Sequence, residues 1–156
     1  EKPFRISGKN LILGMYVNEL LYRLLDKFDP LESVFDSYEC LLKKFENLNN
    51  PISSLREFEL KLLKELGYGI NFQTDAVSGE VFSPSANYNF FVNEGFQKTF
   101  EPDEMSFRGD EIQSMALGKL DQVRPKKVLF LTRRSLASLL DHAPLTSRTI
   151  FSGLIE

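Results

Sequence analysis

Apolar residues recur at helical spacing through the first 69 residues of the 156-residue chain and predict three helices. The first helix is predicted over residues 10–28. The second begins after Asp29 and Pro30, because aspartate suits the N-cap and proline the first helical position. The third follows a turn at Pro51. Short connections join the three helices, so we expect them to pack as antiparallel neighbours in a bundle.

Local signals refine this prediction. Ser54 and Glu57 have the spacing of a capping box, and Gly67 stands where the third helix needs a left-handed C-terminal cap. In the first helix Glu19 precedes Arg23 by four residues, which predicts a surface ion pair. The ends of the third helix are thus expected to be fixed by the sequence itself.

Two residues of the third helix depart from a simple amphipathic pattern. Glu59 falls inside the apolar arc, whereas Leu60 falls outside it beside Arg56. A buried carboxylate needs a partner, so we assign Glu59 a structural role in holding Arg56 or Arg23. A leucine beside an arginine on the outer side could form one wall of a surface groove.

Helical periodicity stops after Gly69. Aromatic and β-branched residues are then scattered among turn residues, which predicts short strands and a hairpin of residues 87–92 and 96–100. Helical patterns return over residues 110–120 and from Pro125 to about Leu140. The predicted fold is mainly α, a helical bundle with a small β or irregular insertion at about 70–100. We expect one domain over 1–156, comprising a three-helix part (1–69), an insertion (70–108) and C-terminal helices (109–156).

The composition is that of an ordinary globular chain, with 42% hydrophobic and 26% charged residues. No segment reaches the roughly 18 apolar residues that a membrane span requires. The single cysteine, Cys40, cannot form an internal disulfide and is expected to be buried, which fits a reducing cytoplasm. The chain does not begin with methionine, so we expect it to be a fragment.

Charge is segregated along the chain. Seven basic and two acidic residues between Lys119 and Arg148 give that part a net charge of +5, and the remainder carries −8. The outer side of the last long helix is predicted to carry Lys126, Lys127, Phe130, Arg133 and Arg134. Two interpretations stay open: a phosphate-contacting face on which Phe130 stacks, or a solvated helix surface.

Residues for common catalytic chemistry are scarce. His142 is the only histidine, and with one cysteine it cannot provide a thiolate or imidazole zinc site. No phosphate-binding loop or nucleophile elbow is present. We therefore predict no enzyme, no cofactor and no metal. A small-molecule enzyme that uses carboxylates of the insertion is the rival hypothesis, and it requires a deep pocket with convergent acids.

Four segments together resemble the C-terminal helical domain of the RecO family of bacterial recombination mediators. The resemblance covers nearly the whole chain. It rests on Tyr16-Val17-Asn18-Glu19-Leu20-Leu21-Tyr22-Arg23, on Leu55-Arg56-Glu57-Phe58-Glu59-Leu60 with Leu66-Gly67-Tyr68-Gly69-Ile70-Asn71-Phe72, on Ala76-Val77-Ser78-Gly79-Glu80, and on Pro144-Leu145-Thr146-Ser147-Arg148-Thr149-Ile150-Phe151.

The resemblance implies a non-catalytic protein of DNA repair and homologous recombination. Such a protein binds single- and double-stranded DNA, anneals strands coated with single-stranded-DNA-binding protein, and loads the recombinase together with RecR. It implies a cytoplasmic, nucleoid-associated protein without membrane contact. The family's N-terminal OB-fold is absent here, so DNA binding is expected to be weakened. The alternative is a structural or protein-interaction domain that does not bind DNA.

Two family features differ in this sequence. Many members carry four cysteines as a zinc site in the insertion, whereas Asp75 and Ser78 stand where the first Cys-x-x-Cys is expected. The resemblance therefore implies a zinc-finger-like insertion without metal. The family's usual lysine before Ser147 is Thr146, which removes one charge from an anion site that would include Arg148.

The resemblance also implies binding of the acidic, phenylalanine-ended tail of single-stranded-DNA-binding protein. Such a tail needs a cation for its carboxylates and an apolar slot for its ring. Arg56, Leu60, Leu63 and Lys64 offer this combination on the third helix. In the alternative interpretation, Arg56 pairs only with Glu59 or Glu19 inside the protein. The predicted DNA-binding residues are Lys126, Lys127, Phe130, Arg133, Arg134 and Arg148.

Overall fold

The computed structural model describes residues 3–25 and 31–150, except for the side chain of Ile150. Within these residues the fold is mainly α with a small antiparallel sheet, as predicted. The helices are α1 (Gly8–Leu24), α2 (Glu32–Asn47), α3 (Ile52–Glu65), α4 (Gly109–Ala116), α5 (Pro125–Leu139) and α6 (Thr146–Ile150), with a 3-10 helix at Leu120–Gln122. The strands are β1 (Asn87–Phe91), β2 (Gly95–Thr99) and β3 (Phe107–Arg108).

Helices α1 and α2 pack as antiparallel neighbours. The Asn10 side chain in α1 donates hydrogen bonds to the carbonyls of Phe45 and Leu48 at the far end of α2, at 2.8 and 2.7 Å. Farther along the pair, the Tyr38 hydroxyl donates to Asn18 Oδ1 at 2.6 Å. These contacts confirm the predicted antiparallel packing of these two helices. The core of the bundle is formed by buried residues of α1, α2, α3 and the end of α5, among them Leu13, Val17, Leu20, Leu41, Phe45, Leu55, Leu62, Leu63 and Leu136.

Only the C-terminal end of α3 agrees with the sequence prediction. The helix begins at Ile52 with Pro51 as its N-cap, so the predicted capping box of Ser54 and Glu57 is wrong. Gly67 adopts a φ of 87°, and the Tyr68 N–H reaches the carbonyl of Leu63 at 2.8 Å, which confirms the left-handed C-terminal cap. The predicted N-cap of α2 at residues 29–30 lies outside the described residues, as does Phe28.

The insertion contains the predicted hairpin and one further strand. Strands β1 and β2 pair antiparallel, with Phe90 opposite Phe96, and Asn93 takes a φ of 64° in the turn between them. Strand β3 pairs with the other side of β1, which gives the sheet order β2-β1-β3. Two residues are too few to show period-two alternation, so β3 could not be predicted from the sequence.

A second hydrophobic core joins the insertion to α4, the 3-10 helix and α5. The Phe96 ring is central to it, with the Phe107 ring 5.2 Å away in an edge-to-face arrangement. Leu60 and Ile70 pack against both cores and so link the bundle to the insertion. Gly109 has no space for a side chain, because a Cβ would lie 1.9 Å from the carbonyl oxygen of Ser83.

Glu19 binds the start of α6 instead of pairing with Arg23. Its carboxylate accepts hydrogen bonds from the backbone N–H groups of Thr146 and Ser147, at 2.6 and 2.8 Å, and from the Ser147 hydroxyl at 2.6 Å. Arg23 donates to the carbonyl of Pro144 at 2.9 Å. Desolvation raises the pKa of Glu19, but these hydrogen bonds outweigh it and hold the pKa below its ordinary value. The predicted surface ion pair is therefore wrong.

Cys40 is exposed on α2. The predicted burial of this thiol is wrong, because the apolar residues that follow it in sequence, Leu41 and Leu42, lie on a different side of the helix. The predicted single domain over 1–156 stays a prediction.

Candidate partner-binding site

A buried polar network connects α1 and α3. The Arg56 Nη1 atom donates to both carboxylate oxygens of Glu59, at 2.8 and 2.7 Å, and the Tyr16 hydroxyl donates to the same carboxylate at 2.6 Å. Glu59 is only 1% exposed and Arg56 only 4%. Desolvation first, and then the Glu59 charge, raise the pKa of Tyr16 well above its ordinary value, so the hydroxyl keeps its proton and remains a donor. The structure thus confirms that Glu59 holds Arg56.

Arg148 extends this network toward α6. Its guanidinium carbon lies 5.7 Å from the centroid of the Tyr16 ring, in cation–π range. The side chain is partly buried, and its Nε atom is buried without a hydrogen-bond partner in the described structure. Arg148 therefore lies against the bundle, although the sequence placed it among the DNA-binding residues.

Several cavities open on the surface, with volumes between about 280 and 670 Å³. Two of them are lined by predicted site residues. The first, which we call the α3–α5 pocket, has a volume of about 550 Å³. Arg56 and Lys126 lie at it, together with one acid, Asp121. Its apolar lining comes from Ile52, Leu120, Val123, Val128 and Leu129. An apolar cavity with two basic side chains is suited to a ligand that combines a ring with a carboxylate.

The second cavity, which we call the α3–α4 groove, has a volume of about 670 Å³. Leu60 and Lys64 line it, as do Lys61 and the apolar residues Ile70, Phe72, Met115 and Leu120. Leu120 is shared with the α3–α5 pocket, so the two cavities are neighbours.

The four residues predicted to bind a peptide tail are therefore distributed over three environments. Arg56 lies at the α3–α5 pocket, whereas Leu60 and Lys64 line the α3–α4 groove. Leu63 is fully buried in the core of the bundle and cannot receive a ligand ring, so its prediction as part of a surface slot is wrong. Sequence reasoning missed Leu120, Val123, Val128 and Leu129, because their approach to α3 depends on contacts between distant segments.

The predicted basic face of α5 is smaller in the structure. Lys127 is buried, with its Nζ 2.6 Å from Glu111 Oε2 and 5.6 Å from the centroid of the Phe107 ring. It therefore ties α5 to α4 and to the sheet, and its prediction as an outward residue is wrong. A helical wheel of α5 alone could not show this, because the acid that pairs with Lys127 comes from another helix.

The remaining residues of this face lie closer to solvent. Lys126 and Arg134 are exposed, and Arg133 and Phe130 are partly buried. The Arg134 guanidinium carbon lies 5.2 Å from the centroid of the Phe130 ring, so this arginine already covers part of the ring that was predicted to stack on bases. What remains is a short cationic surface that begins next to the α3–α5 pocket.

The insertion is fixed at the position where the resemblance places the first metal-ligating pair. Asp75 is 6% exposed, and its carboxylate accepts hydrogen bonds from the backbone N–H groups of Val77 and Ser78, each at 2.8 Å, and of Lys98 at 2.7 Å. Desolvation raises the pKa of Asp75, but the three hydrogen bonds outweigh it, so the pKa lies below its ordinary value. The carboxylate thereby joins the turn to strand β2.

The described residues show neither a metal-binding cluster nor a membrane-spanning helix. Within residues 3–25 and 31–150, no three histidine, cysteine, aspartate or glutamate side chains are grouped so that they could hold a metal ion. The helices of the same residues include none whose length and apolarity would let it cross a membrane.

The fold and the site define a mainly helical domain that carries an antiparallel β insertion and an apolar pocket with basic side chains. Its matches to known proteins agree with this class. The family model described as "Recombination protein O C terminal" matches residues 6–139. The chain therefore belongs to the RecO C-terminal family, and the resemblance seen in the sequence is confirmed.

Individual relatives have the same family name. The chain is 35% identical over 150 residues to DNA repair protein RecO of Aliivibrio salmonicida, a match that covers 94% of this chain and 62% of the relative. It is 34% identical over 151 residues to the protein of that name from Psychromonas ingrahamii, with 95% and 65% covered. For Hamiltonella defensa the values are 37% over 148 residues, with 94% and 63% covered. The chain thus spans less than two thirds of the length of these relatives.

Proposed function

We propose that this chain works in recombinational DNA repair as a non-catalytic binding module. Its relatives are named as DNA repair proteins, and the chain matches the C-terminal part of their family. The α3–α5 pocket is the observation that carries the proposal further. It is suited to the acidic, phenylalanine-ended tail of single-stranded-DNA-binding protein, which is the ligand that the sequence resemblance implies.

The fit rests on two complementary features. The aromatic ring of the tail needs an apolar slot, and Val128, Leu129 and Leu120 supply apolar surface in a cavity of about 550 Å³. The terminal and side-chain carboxylates of the tail need cations, and Arg56 and Lys126 lie at the same cavity. Glu59 accepts hydrogen bonds from Arg56 and is itself held by the Tyr16 hydroxyl, so the guanidinium loses little further freedom when a ligand binds.

Fluorescence anisotropy with a labelled acidic peptide ending in phenylalanine tests this proposal. Deleting the phenylalanine should weaken binding at least about tenfold, since burial of a large apolar side chain contributes about 1.5–3 kcal/mol. Lys126→Ala should weaken binding about two- to fivefold, because an exposed ion pair contributes up to about 1 kcal/mol. Lys119→Ala is the matched control, since Lys119 is exposed and does not line the pocket.

Two results would count against the pocket. Equal affinity for the peptides with and without phenylalanine would show that no ring is bound. Equal weakening by Lys119→Ala and Lys126→Ala would show a diffuse charge effect. Arg56→Ala is less informative here, because it leaves Glu59 without its buried partner and is expected to destabilise the fold.

We propose that the exposed cations of α5 give the module a weak contact to DNA phosphates. Lys126 and Arg134 are the candidates, with Arg133 beside them. The double variant Lys126→Ala/Arg134→Ala should lower the affinity for single-stranded DNA and reduce the slope of log K against log salt by about two, one for each lost phosphate contact. Salt-titrated anisotropy measures both quantities.

The matched control for DNA binding is Lys9→Ala/Lys43→Ala, which removes two exposed lysines from the bundle. An equal effect of the two double variants would assign the affinity to net charge alone. Absence of a salt-dependent affinity in the unmodified chain would favour the alternative, a protein-interaction domain that does not bind DNA.

The wider role of the family is proposed for the whole protein. It comprises strand annealing, recombinase loading together with RecR, and a cytoplasmic location at the nucleoid. This chain spans about three fifths of the length of its first relatives, so its own contribution is the pocket and the α5 surface. Annealing by the unmodified chain should be weak compared with that by a full-length relative.

A further inference from the structure

The segment between β2 and β3, which we call the acidic loop (residues 100–105), presents an aromatic ring to solvent. Phe100 is 88% exposed, the largest fraction of any large apolar side chain in the described part of the chain. The four residues that follow it, 101–104, are all exposed, and three of them are acids. Single exposed apolar side chains are common on protein surfaces. This one is distinguished by the acids beside it and by the fixed backbone that carries it.

Hydrogen bonds fix the acidic loop at both ends. At its start the Glu101 N–H donates to the Thr99 hydroxyl at 3.2 Å. At its end the Ser106 hydroxyl accepts a hydrogen bond from the Asp103 N–H at 2.9 Å and donates one to Asn89 Oδ1 at 2.6 Å, which ties the loop to strand β1. The ring is therefore held outward by a loop that has little freedom left to lose when it binds a partner.

The negative charge of the loop is not neutralised by its neighbours. Glu101 and Glu104 form no ion pair with another described residue. Lys98 is the one base between residues 98 and 104, where three acids leave a net charge of −2. Its Nζ lies 5.7 Å from the centroid of the Phe100 ring. The acidic loop thus offers a partner an aromatic side chain with excess negative charge around it.

The α3–α5 pocket has the complementary chemistry. Its lining is largely apolar, and its volume of about 550 Å³ is sufficient for a phenyl ring. Lys126 lines the pocket, and Arg124 directly precedes the lining residue Pro125. Both cations are exposed, and neither forms an ion pair with another described residue. Asp121 is the one acid of the lining, so the exposed cations outnumber it.

We propose that the acidic loop of one copy of this chain docks in the α3–α5 pocket of a second copy. The Phe100 ring enters the apolar cavity, and the acids of the loop lie beside Arg124 and Lys126. Because Phe100 is 88% exposed, it does not occupy the pocket of its own molecule, and the occupant is a second copy. The inference rests on the proposed function of the pocket and deepens it, since a docked loop closes the pocket to a peptide. Self-association thereby regulates access to the pocket.

Sedimentation velocity over a series of chain concentrations tests the loop side of this contact. The unmodified chain should associate as its concentration rises, and added salt should weaken the association, because exposed charges are screened. Phe100→Ser should weaken it at least about tenfold, since one large apolar side chain is no longer buried. Val77→Ser is the matched control, because Val77 is an apolar residue of the same insertion, 76% exposed and outside the acidic loop. It should leave the association unchanged.

A second pair of variants tests the pocket side. Ser53 is exposed and lines the pocket near the start of α3, so Ser53→Trp should fill the pocket and weaken association as strongly as Phe100→Ser does. Leu117→Trp is the matched control, because Leu117 is 71% exposed and does not line the pocket. Thermal unfolding shows whether each variant is folded.

Mixing the two variants identifies the surfaces that meet. Phe100→Ser keeps its pocket and Ser53→Trp keeps its loop, so neither should associate alone, whereas their mixture should form a one-to-one complex. The complex stops at two chains, because each chain has lost one of the two different surfaces that a continued assembly requires. A mixture that forms no complex would overturn the inference.

The other outcomes separate the loop contact from peptide binding. An unmodified chain that stays monomeric up to about 1 mM would overturn the contact, and so would equal association of Phe100→Ser and the unmodified chain. The acidic peptide ending in phenylalanine should bind Phe100→Ser with an affinity independent of chain concentration, and should bind the unmodified chain more weakly as that concentration rises. Peptide binding without self-association would leave the proposed function in place. Self-association without peptide binding would overturn the proposed function and the regulation, but not the contact.

Discussion

Replacing Arg56 with alanine is expected to lower the free energy of unfolding by about 3–5 kcal/mol. The reason is the position of Glu59, which is 1% exposed and depends on Arg56 for two short hydrogen bonds. Without the guanidinium, the Glu59 carboxylate would stay buried, and the Tyr16 hydroxyl would be its remaining donor in the network described above. Urea unfolding followed by circular dichroism measures the loss.

Compensating variants test whether the loss comes from the unpaired charge. The triple variant Tyr16→Phe/Arg56→Leu/Glu59→Leu removes the charges and the hydroxyl together, and it should recover most of the stability that Arg56→Ala loses. The control Lys9→Ala should change the free energy of unfolding by less than about 0.5 kcal/mol, since this lysine is exposed. A loss below about 1 kcal/mol for Arg56→Ala would contradict the assignment of Glu59 as a buried, Arg56-dependent carboxylate.

Replacing Asp75 with alanine is expected to destabilise the insertion by at least about 3 kcal/mol, because each hydrogen bond to a charged group contributes about 1.5–3 kcal/mol. Three backbone N–H groups, those of Val77, Ser78 and Lys98, would lose their acceptor. Hydrogen exchange should show early loss of protection in β2, while the bundle of α1, α2 and α3 keeps its protection. Glu80→Ala is the control, because Glu80 is exposed on the same loop.

The contribution of Asp75 should depend on pH in a defined direction. Its pKa in the folded chain lies below that of an unfolded aspartate, which is about 3.9. The stabilisation is therefore fully present above about pH 4 and is lost as the pH falls through the lower, folded pKa. The stability difference between the unmodified chain and Asp75→Asn should be constant from about pH 7 to pH 5 and shrink in stronger acid. A difference that grows on acidification would contradict this assignment.

Local chemistry explains the predictions that were confirmed. The left-handed C-terminal cap at Gly67 needs only a glycine after the last helical turn, and the turn of the hairpin needs only residues such as Asn93 that tolerate a positive φ. The burial of Glu59 followed from its angle on the helix. Each of these features depends on residues within about one or two turns of chain, so the sequence contains the required information.

Contacts between distant segments explain the predictions that failed. Glu19 was expected to pair with Arg23, one turn away, but it caps α6 more than a hundred residues later. Lys127 was expected on the outer side of α5, but an acid of α4 draws it inward. In both cases a group from a distant segment determines the position of the side chain, and the local sequence does not show that group.

The mainly helical fold with its β insertion, the family of the chain and the buried acid beside Arg56 were all predictable from the order of residues. The tertiary structure alone decided where ligands can bind. A pocket forms where α3, the 3-10 helix and α5 meet, and none of these segments contains more than part of its wall. Helical periodicity shows which side of a single helix is apolar. A cavity forms where the side chains of several packed elements leave space between them, and that depends on how the elements pack.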